Sequence, residues 1–552
     1  MNLLERDASP QRRQFLGKAS RGHLGPIQWV DRPLLSRLLR SRPLCRFISG
    51  PSNQAWAGGR VLVGEVYKSP RAGLLLVEGR LGFLFLRPGD PLLSLKMDLD
   101  IQCTELNTAK WKELVSSLHQ YKTIRLDDCS LSTKHFKDIS TVLTKNQVLT
   151  ELKLNNNEVG DSGMEVLCKG LLHPSCKLQK LWLQNCNLTE ACCEHLRSVL
   201  SSNASLTELH LGDNTLGESG VKVLCQGLLD PNCKLESLQL DYCELSAANV
   251  EALSSALRTK PSLKELSLCN NSFGDAAVKL LCQGVQDSKC NLETLRLENC
   301  DFTAESCGDL STILSTKPSL KELCIGENKI GDRGVALLCQ GALNPNCNVQ
   351  KLWLWECGIT AHGCKDLSNL FGNKETLKEL SLIGNDVKDQ GMDFLSQGLK
   401  NPKCKLQAIW LRECGLTGTC CKSLSQALST NGTLKELHIG GNKLDDAGVI
   451  QICEGVLSPT CNLQSLSVGQ SQLTAACCDK LAEVIAGKPC LQELDVSYSH
   501  IGDEGAMKLC EAVKNPNCHL KYLILYDTFW TTPVDKELKA LEELKPGFKL
   551  VT

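Results

Sequence analysis

Cysteine is the residue whose number and spacing in this chain first invite a chemical reading. There are 32 cysteines in 552 residues, and most of them fall in columns. One column, Cys129, Cys186, Cys243, Cys300, Cys357 and Cys414, recurs at one constant interval and continues at that interval as Ser471 and Thr528. A second sets two cysteines with seven residues between them: Cys168/Cys176, Cys225/Cys233, Cys282/Cys290, Cys339/Cys347, Cys453/Cys461 and Cys510/Cys518. Adjacent pairs stand at Cys192-Cys193, Cys420-Cys421 and Cys477-Cys478. Zinc sites and dithiol enzymes call for Cys-x2-Cys pairs or a Cys/His quartet, and no Cys-x2-Cys is present. The spacing therefore points to thiols that fill a small buried slot in a repeated unit, as free cysteine does elsewhere. Close-set thiols can also oxidise, and an ill-fitting disulfide would strain a coil and its neighbours. That predicts an array sensitive to oxidation.

Other catalytic patterns are missing. The chain has no Walker A loop, no Gly-x-Ser-x-Gly elbow and no His-Glu-x-x-His. Its ten histidines are scattered, with His210 and His438 at equivalent strand positions. Neither enzymatic activity nor a cofactor is expected. Binding chemistry is better represented. A glutamate column runs through Glu151, Glu208, Glu265, Glu322, Glu379, Glu436 and Glu493, partly offset by Lys180 and Lys351. Trp182, Trp353, Trp355 and Trp410 occupy neighbouring positions, and Tyr522, Tyr526, Asp527, Phe529 and Trp530 cluster near the C-terminus. Exposed aromatics beside carboxylates suit a protein-binding hot spot, and the acidic surroundings suit a basic partner.

The elements that position these residues follow from the period. An asparagine series (Asn157, Asn214, Asn271, Asn328, Asn385, Asn442, ending at Ser499) shares the interval of the cysteine series and falls almost midway within it. From Cys129 to Asn157 and on to Cys186 the steps are 28 and 29, and units of these two lengths alternate along the chain. Each unit reads Leu-x-x-Leu-x-Leu-x-x-(Asn/Cys)-x-Leu, the leucine-rich-repeat signature. Alternating leucines such as those of Leu149–Leu154 make a short strand with one buried face. Asn157 is placed to bond the loop backbone, with its counterparts stacked as an amide ladder. Gly160-Asp161-Ser162 should begin a helix with Glu165 in a capping box. Met164, Leu167, Leu171 and Leu172 supply the apolar face, and Pro174 ends the run. Right-handed crossovers and the narrower strand side then predict an α/β solenoid, a horseshoe with parallel strands on the concave face and helices on the convex face. Period-two alternation turns the glutamates and tryptophans into the concavity.

Residues 1–96 differ in kind from 97–552. They carry 16 Lys+Arg against 6 Asp+Glu, whereas the remainder has 45 against 56, so a formal charge of -1 conceals a basic extension and an acidic array. The extension has the composition of a mitochondrial presequence, but Pro33, Pro43 and Pro51 interrupt the helix such signals use. The apolar run 73–86 contains Glu78 and Arg80 and is too short to span a bilayer. A disordered extension is expected, ahead of a leucine-rich-repeat domain at 97–552.

The alternating units, Leu-Trp-Leu-Trp-Glu-Cys-Gly-Ile-Thr at 352–360, Leu-Tyr-Asp-Thr-Phe-Trp at 525–530 and Met-Asp-Leu-Asp-Ile-Gln-Cys at 97–103 resemble the mammalian ribonuclease inhibitor family across the whole array. The resemblance implies a cytoplasmic horseshoe that binds pancreatic-type ribonucleases, angiogenin included, one to one and blocks their active sites. It implies contact roles for Tyr526, Asp527, Phe529 and Trp530, with the aspartate on the enzyme's catalytic lysine and Thr552 nearby. Further implied contacts are Trp353, Trp355, Trp410, Glu379, Glu436 and Glu493. Ser467 stands where the family has tryptophan, and Phe529 replaces a tyrosine. Three other readings stay open: the ligand-sensing end of a nucleotide-binding immune receptor, a GTPase-activating repeat protein, and a generic scaffold. Residues 1–96 are too short for a nucleotide-binding domain and show no P-loop. The tail Lys545-Pro546-Gly547-Phe548-Lys549 is not the acidic tail common in the second class.

Overall fold

The computed structural model describes residues 97–552, together with the backbone of three short strands at Val66–Lys68, Leu75–Gly79 and Gly82–Leu86, paired antiparallel in that order. Apart from those strands, the expectation of a disordered extension over 1–96 lies outside the described residues.

From Met97 onward, seventeen parallel strands and sixteen helices alternate in one leucine-rich-repeat solenoid, the expected α/β horseshoe. Each strand pairs with its sequence neighbours, from Met97–Gln102 at one edge to Lys549–Val551 at the other. Among the described residues no pairing joins these two edges. Facing residues alternate between a separation of 28, as for Ser237 and Glu265, and of 29, as for His210 and Gln239. In a strand such as Lys351–Trp353 the middle leucine is buried and its neighbours are only partly covered, so the outward residues face the concavity. The helices cover the other face. In Gly331–Ala342, Val335, Leu338, Cys339 and Ala342 recur at helical spacing and are all buried, each large side chain contributing about 1.5–3 kcal/mol.

The coils are tied to one another by four sets of side chains. Asn214 takes the N–H groups of Cys186 and Leu188 on Oδ1, each at 3.0 Å, and Nδ2 donates to the carbonyls of Leu183, Leu211 and Gly212. Cysteine completes the next step. Cys186 Sγ donates to Leu154 O at 3.3 Å, and Cys243 Sγ to Leu211 O at 3.4 Å. The ladder is thus asparagine to backbone and thiol to backbone in turn, not a stack of amides: two asparagines are separated by a whole coil. Asn214→Ala should strand two buried N–H groups and cost about 3 kcal/mol or more. Urea midpoints compared with the exposed helical Gln226→Ala control would check this; equal midpoints would refute it.

Helix starts differ from expectation. Val159 precedes helix Gly160–Leu171 and no side-chain cap forms, so the capping box at Asp161 and Glu165 is absent. Glu165 instead pairs with Lys169 at 2.9 Å. Asp161 reaches forward one coil, accepting from Thr189 N at 2.8 Å and Thr189 Oγ1 at 2.6 Å. The same staple joins Asp275 to Thr303, Asp332 to Thr360, Asp389 to Thr417, Asp446 to Thr474 and Asp503 to Thr531. A capping carboxylate therefore holds the following coil, not its own helix. Leu172, assigned above to the apolar face, lies past the helix end and is exposed.

A lysine slot, buried at every coil that carries it but the last, closes the opposite helix ends. Lys374 Nζ donates to Asn344 O at 2.9 Å, and Lys260, Lys317, Lys488 and Lys545 make equivalent bonds to the preceding coil. The ammonium sits against carbonyls at a helix C-terminus, where the partial charge is negative. Glycines let the helices close up. Gly220, Gly448 and Gly505 leave no room for a Cβ beside Cys193, Cys421 and Cys478 Sγ. The cysteines accordingly fill packing slots: of the 31 described, all are buried except Cys103, which is exposed, and Cys490, which is half-buried.

Candidate functional site

The concave face is two rows of side chains read across the strands. The first row is Glu151, Lys180, Glu208, Ser237, Glu265, Thr294, Glu322, Lys351, Glu379, Ala408, Glu436, Ser465, Glu493 and Tyr522. Its N-terminal glutamates are neutralised within the chain. Lys153 pairs with Glu151 at 3.1 Å, Lys180 with Glu208 at 2.7 Å, Arg296 with Glu322 at 2.8 Å and with Glu265 at 3.7 Å. Lys351 bridges Glu322 at 3.6 Å and Glu379 at 3.8 Å. Burial pushes the Glu208 carboxyl up, but bonds from His210 and Lys180 outweigh it and bring it down to about 2. Beyond Lys351 the intervening positions are Ala408 and Ser465, which carry no charge. Glu493 accepts a hydroxyl bond from Ser465 at 3.0 Å, and Asp495 one from Ser467 at 2.7 Å. Among the described residues no salt bridge reaches Glu493, Asp495 or Asp527. The acidic column is therefore a negative field only toward its C-terminal end.

The second row holds the aromatics. Trp353, Ser381, Trp410 and His438 are consecutive across it. The small Ser381 lets the two indoles approach to 5.1 Å between centroids, and His438 stacks on Trp410 at 5.5 Å with planes 5° apart. Trp410 is consequently buried, at 6% exposure. This corrects the expectation of an exposed hot-spot tryptophan there: it is the support on which Trp353 and His438 rest. The Trp353 N–H is buried without an acceptor among the described residues. Glu436 lies 3.5 Å from His438. Trp182 is covered on both sides, by Lys153 at 4.4 Å from its ring and by stacked His210 at 4.9 Å. Trp355 stands apart from this row, its Nε1 bonded to Glu298.

The C-terminal group assembles at the sheet edge. The strand Lys549–Val551 pairs with Tyr522–Ile524, and Leu525 N donates to Val551 O at 2.7 Å, which places the exposed Thr552 in register with Leu525, one residue before Tyr526. Tyr526 is exposed and packs edge-on against Tyr498 at 5.4 Å. Asp527 holds the left-handed backbone at φ 52, the turn position that Tyr498 and Glu413 occupy in earlier coils, and its carboxylate is exposed. Phe529 is 76% exposed, the most exposed large apolar side chain described. Trp530 instead packs on the core, its Nε1 3.5 Å from Asp535 Oδ1. The ladder also lapses here: the Ser471 and Ser499 hydroxyls bond carbonyls two residues back, and Thr528 Oγ1 is buried without a partner among the described residues. The structure thus makes two groups of the sequence-derived residues: Trp353, Trp355, Glu379, Trp410 and Glu436 mid-array, and Tyr526, Asp527, Phe529, Trp530 and Thr552 at the edge, with Glu493 on the strands between. Tyr498, Asp495 and His438 join them. Tyr498 could have been found as the residue one coil before Asp527 in the repeat.

Comparison with known proteins matches this architecture. Residues 97–126 match the family model described as the capping leucine-rich repeat of ribonuclease inhibitor, and 145–168, 202–225, 316–339, 430–453 and 487–510 match a leucine-rich-repeat model. Ribonuclease inhibitor of Sus scrofa is 47% identical over 456 residues, spanning 83% of this chain and 100% of its own length. The chain belongs to the ribonuclease inhibitor family. The Mus musculus ribonuclease inhibitor agrees, at 46% identity with the same coverage. NACHT, LRR and PYD domains-containing protein 12 of Homo sapiens is 38% identical over 370 residues, 67% of this chain and only 34% of that protein. These ribonuclease inhibitors thus align along their full length, whereas the longer NACHT, LRR and PYD domains-containing protein aligns over about a third of its own.

Proposed function

We propose that the chain is a stoichiometric, tight-binding inhibitor of pancreatic-type ribonucleases, angiogenin among them, and that it occludes their active sites with the C-terminal half of its concave face. The observation that carries this reading is the charge asymmetry of the sheet. The N-terminal glutamates have cations of their own, while among the described residues Glu493, Asp495 and Asp527 have none beside exposed Tyr526 and Phe529. Pancreatic-type ribonucleases are basic because they hold RNA phosphates, so a carboxylate-rich edge competes for the same cleft. Asp527 pairs with the catalytic lysine, while Tyr526, Phe529, Trp530 and Thr552 surround it. Trp353, Trp355, Glu379, Glu436 and Glu493 engage the enzyme's flank, and buried Trp410 supports them. Neither nucleic acid nor membrane is a partner; no helix among the described residues is long and apolar enough to cross a membrane.

The reducing cytoplasm is the compartment in which such an array of free thiols persists, and oxidation abolishes inhibition. The test is titration of the reduced protein into a pancreatic-type ribonuclease turning over a fluorogenic RNA. A linear fall to zero activity at one equivalent is expected, with an association rate that drops as salt is raised. Full activity at nanomolar inhibitor in excess of enzyme would sink the reading.

A further inference from the structure

Trp355 is held by a group that makes none of the contacts assigned above. It follows its strand by two residues, a position occupied by Gly326 one coil earlier and by Glu298 two coils earlier. The indole lies back across Gly326, where a Cβ would fall on Nε1, Cε2 and Cδ1 of the ring. At the end of that reach Nε1 donates to Glu298 Oε1 at 3.2 Å. The second carboxylate oxygen is also committed, accepting from Cys269 Sγ at 3.3 Å. Behind it, Ser267 Oγ lies 3.4 Å from that thiol and donates to Asp241 Oδ1 at 2.6 Å. Burial raises the Glu298 carboxyl, against the opposing pull of Arg296 and of the bonds from Trp355 and Cys269. Burial likewise raises Glu327, on the coil between, with Glu356 and Glu298 adding to it.

We infer that Glu298 is a positioning residue: its carboxylate anchors the Trp355 indole flat on Gly326, so that the ring meets a docking partner already oriented. The part of this inference that concerns docking rests on the ribonuclease-inhibition reading. The orientation itself does not. A large side chain fixed before binding loses less rotational freedom on binding, and the three residues make the arrangement self-consistent. The acceptor is two coils away, the intervening position must be glycine, and the indole is a rigid ring that crosses the gap and presents its N–H donor to the carboxylate.

The experiment compares Glu298→Ala, Glu298→Gln and Gly326→Ala, each alone and with Trp355→Ala, in the ribonuclease titration. Alongside it, the indole 1H–15N resonance of Trp355 in the unliganded protein is assigned from its loss in Trp355→Phe. Glu298→Ala is expected to weaken inhibition about tenfold, and Glu298→Gln, which keeps a carbonyl acceptor, to restore most of it. Gly326→Ala should reproduce the loss by lifting the ring. The loss should vanish when residue 355 is already alanine, and the resonance should move upfield in Glu298→Ala. An equal loss from Glu298→Ala with or without Trp355 would overturn the inference, since Glu298 would then touch the ligand itself. An unmoved resonance would also overturn it. If the unaltered protein inhibits nothing, the ribonuclease reading falls while the resonance still decides whether Glu298 holds the ring.

Discussion

Replacing Tyr526 and Asp527 together by alanine is expected to weaken inhibition about a thousandfold, whereas Glu151→Ala should change it no more than about twofold. Both sites carry carboxylates on the concave side, so net charge alone would predict similar losses. The difference lies in what each carboxylate already has. Glu151 is half-buried with Lys153 at 3.1 Å, so its charge is largely compensated before any partner arrives. Asp527 is exposed on a turn at φ 52, and none of the described residues forms a salt bridge with it. A desolvated ion pair at the centre of an interface is costly to break from one side, and Tyr526 beside it supplies apolar area with a polar tip. Trp530 is a poorer test residue because it packs on the core and bonds Asp535, so its removal mixes stability with binding. Inhibition constants measured at several salt concentrations would check the prediction, since the Asp527 variant should also lose part of the salt dependence. Equal losses at the two sites would contradict the division of the concave face into a neutralised and a charged half.

The solenoid was legible because its period imposes one answer at each level. The double repeat sets strand register, and period-two alternation sets which side chains face the cavity, so the identity of the concave rows could be read without coordinates. What those side chains do to each other could not. Trp353 and Trp410 are a full double repeat apart and look independent, yet Ser381 between them is small enough for the rings to meet and bury one. Arg296 was invisible as a neutraliser because its reach spans the neighbouring strands on both sides, to Glu265 and Glu322. Asp161 and Thr189 are 28 residues apart, a separation that signifies contact only once one coil is known to consume that length. Residue type fixed the position of each group; side-chain length and the identity of the next coil's residue fixed its partner.

Oxidation should inactivate the array in an all-or-none manner, with partly modified species nearly absent. Burial pushes the thiols of Cys168, Cys186, Cys243 and Cys357 up to about 12, which cuts the reactive thiolate near neutral pH about a thousandfold relative to an ordinary cysteine. Attack therefore waits for a coil to open. Once one opens, its consequences spread: Cys186 gives its S–H to Leu154 O and its N–H to Asn214, so its loss releases the coils on both sides. A solenoid is stabilised by such nearest-neighbour terms, and each lost interface weakens the next. Cys103 is exempt because it is exposed, and it should react rapidly without loss of inhibition. Because only the thiolate attacks, the slow phase should accelerate with rising pH. Mass spectra taken during a slow titration with an aromatic disulfide would show protein with adducts confined to Cys45, Cys103 and half-buried Cys490 and protein with nearly all thiols modified, and little between. Loss of inhibition and of helical circular dichroism should follow the second species alone. A smooth ladder of adducts with inhibition intact through its first half would show that the coils open independently.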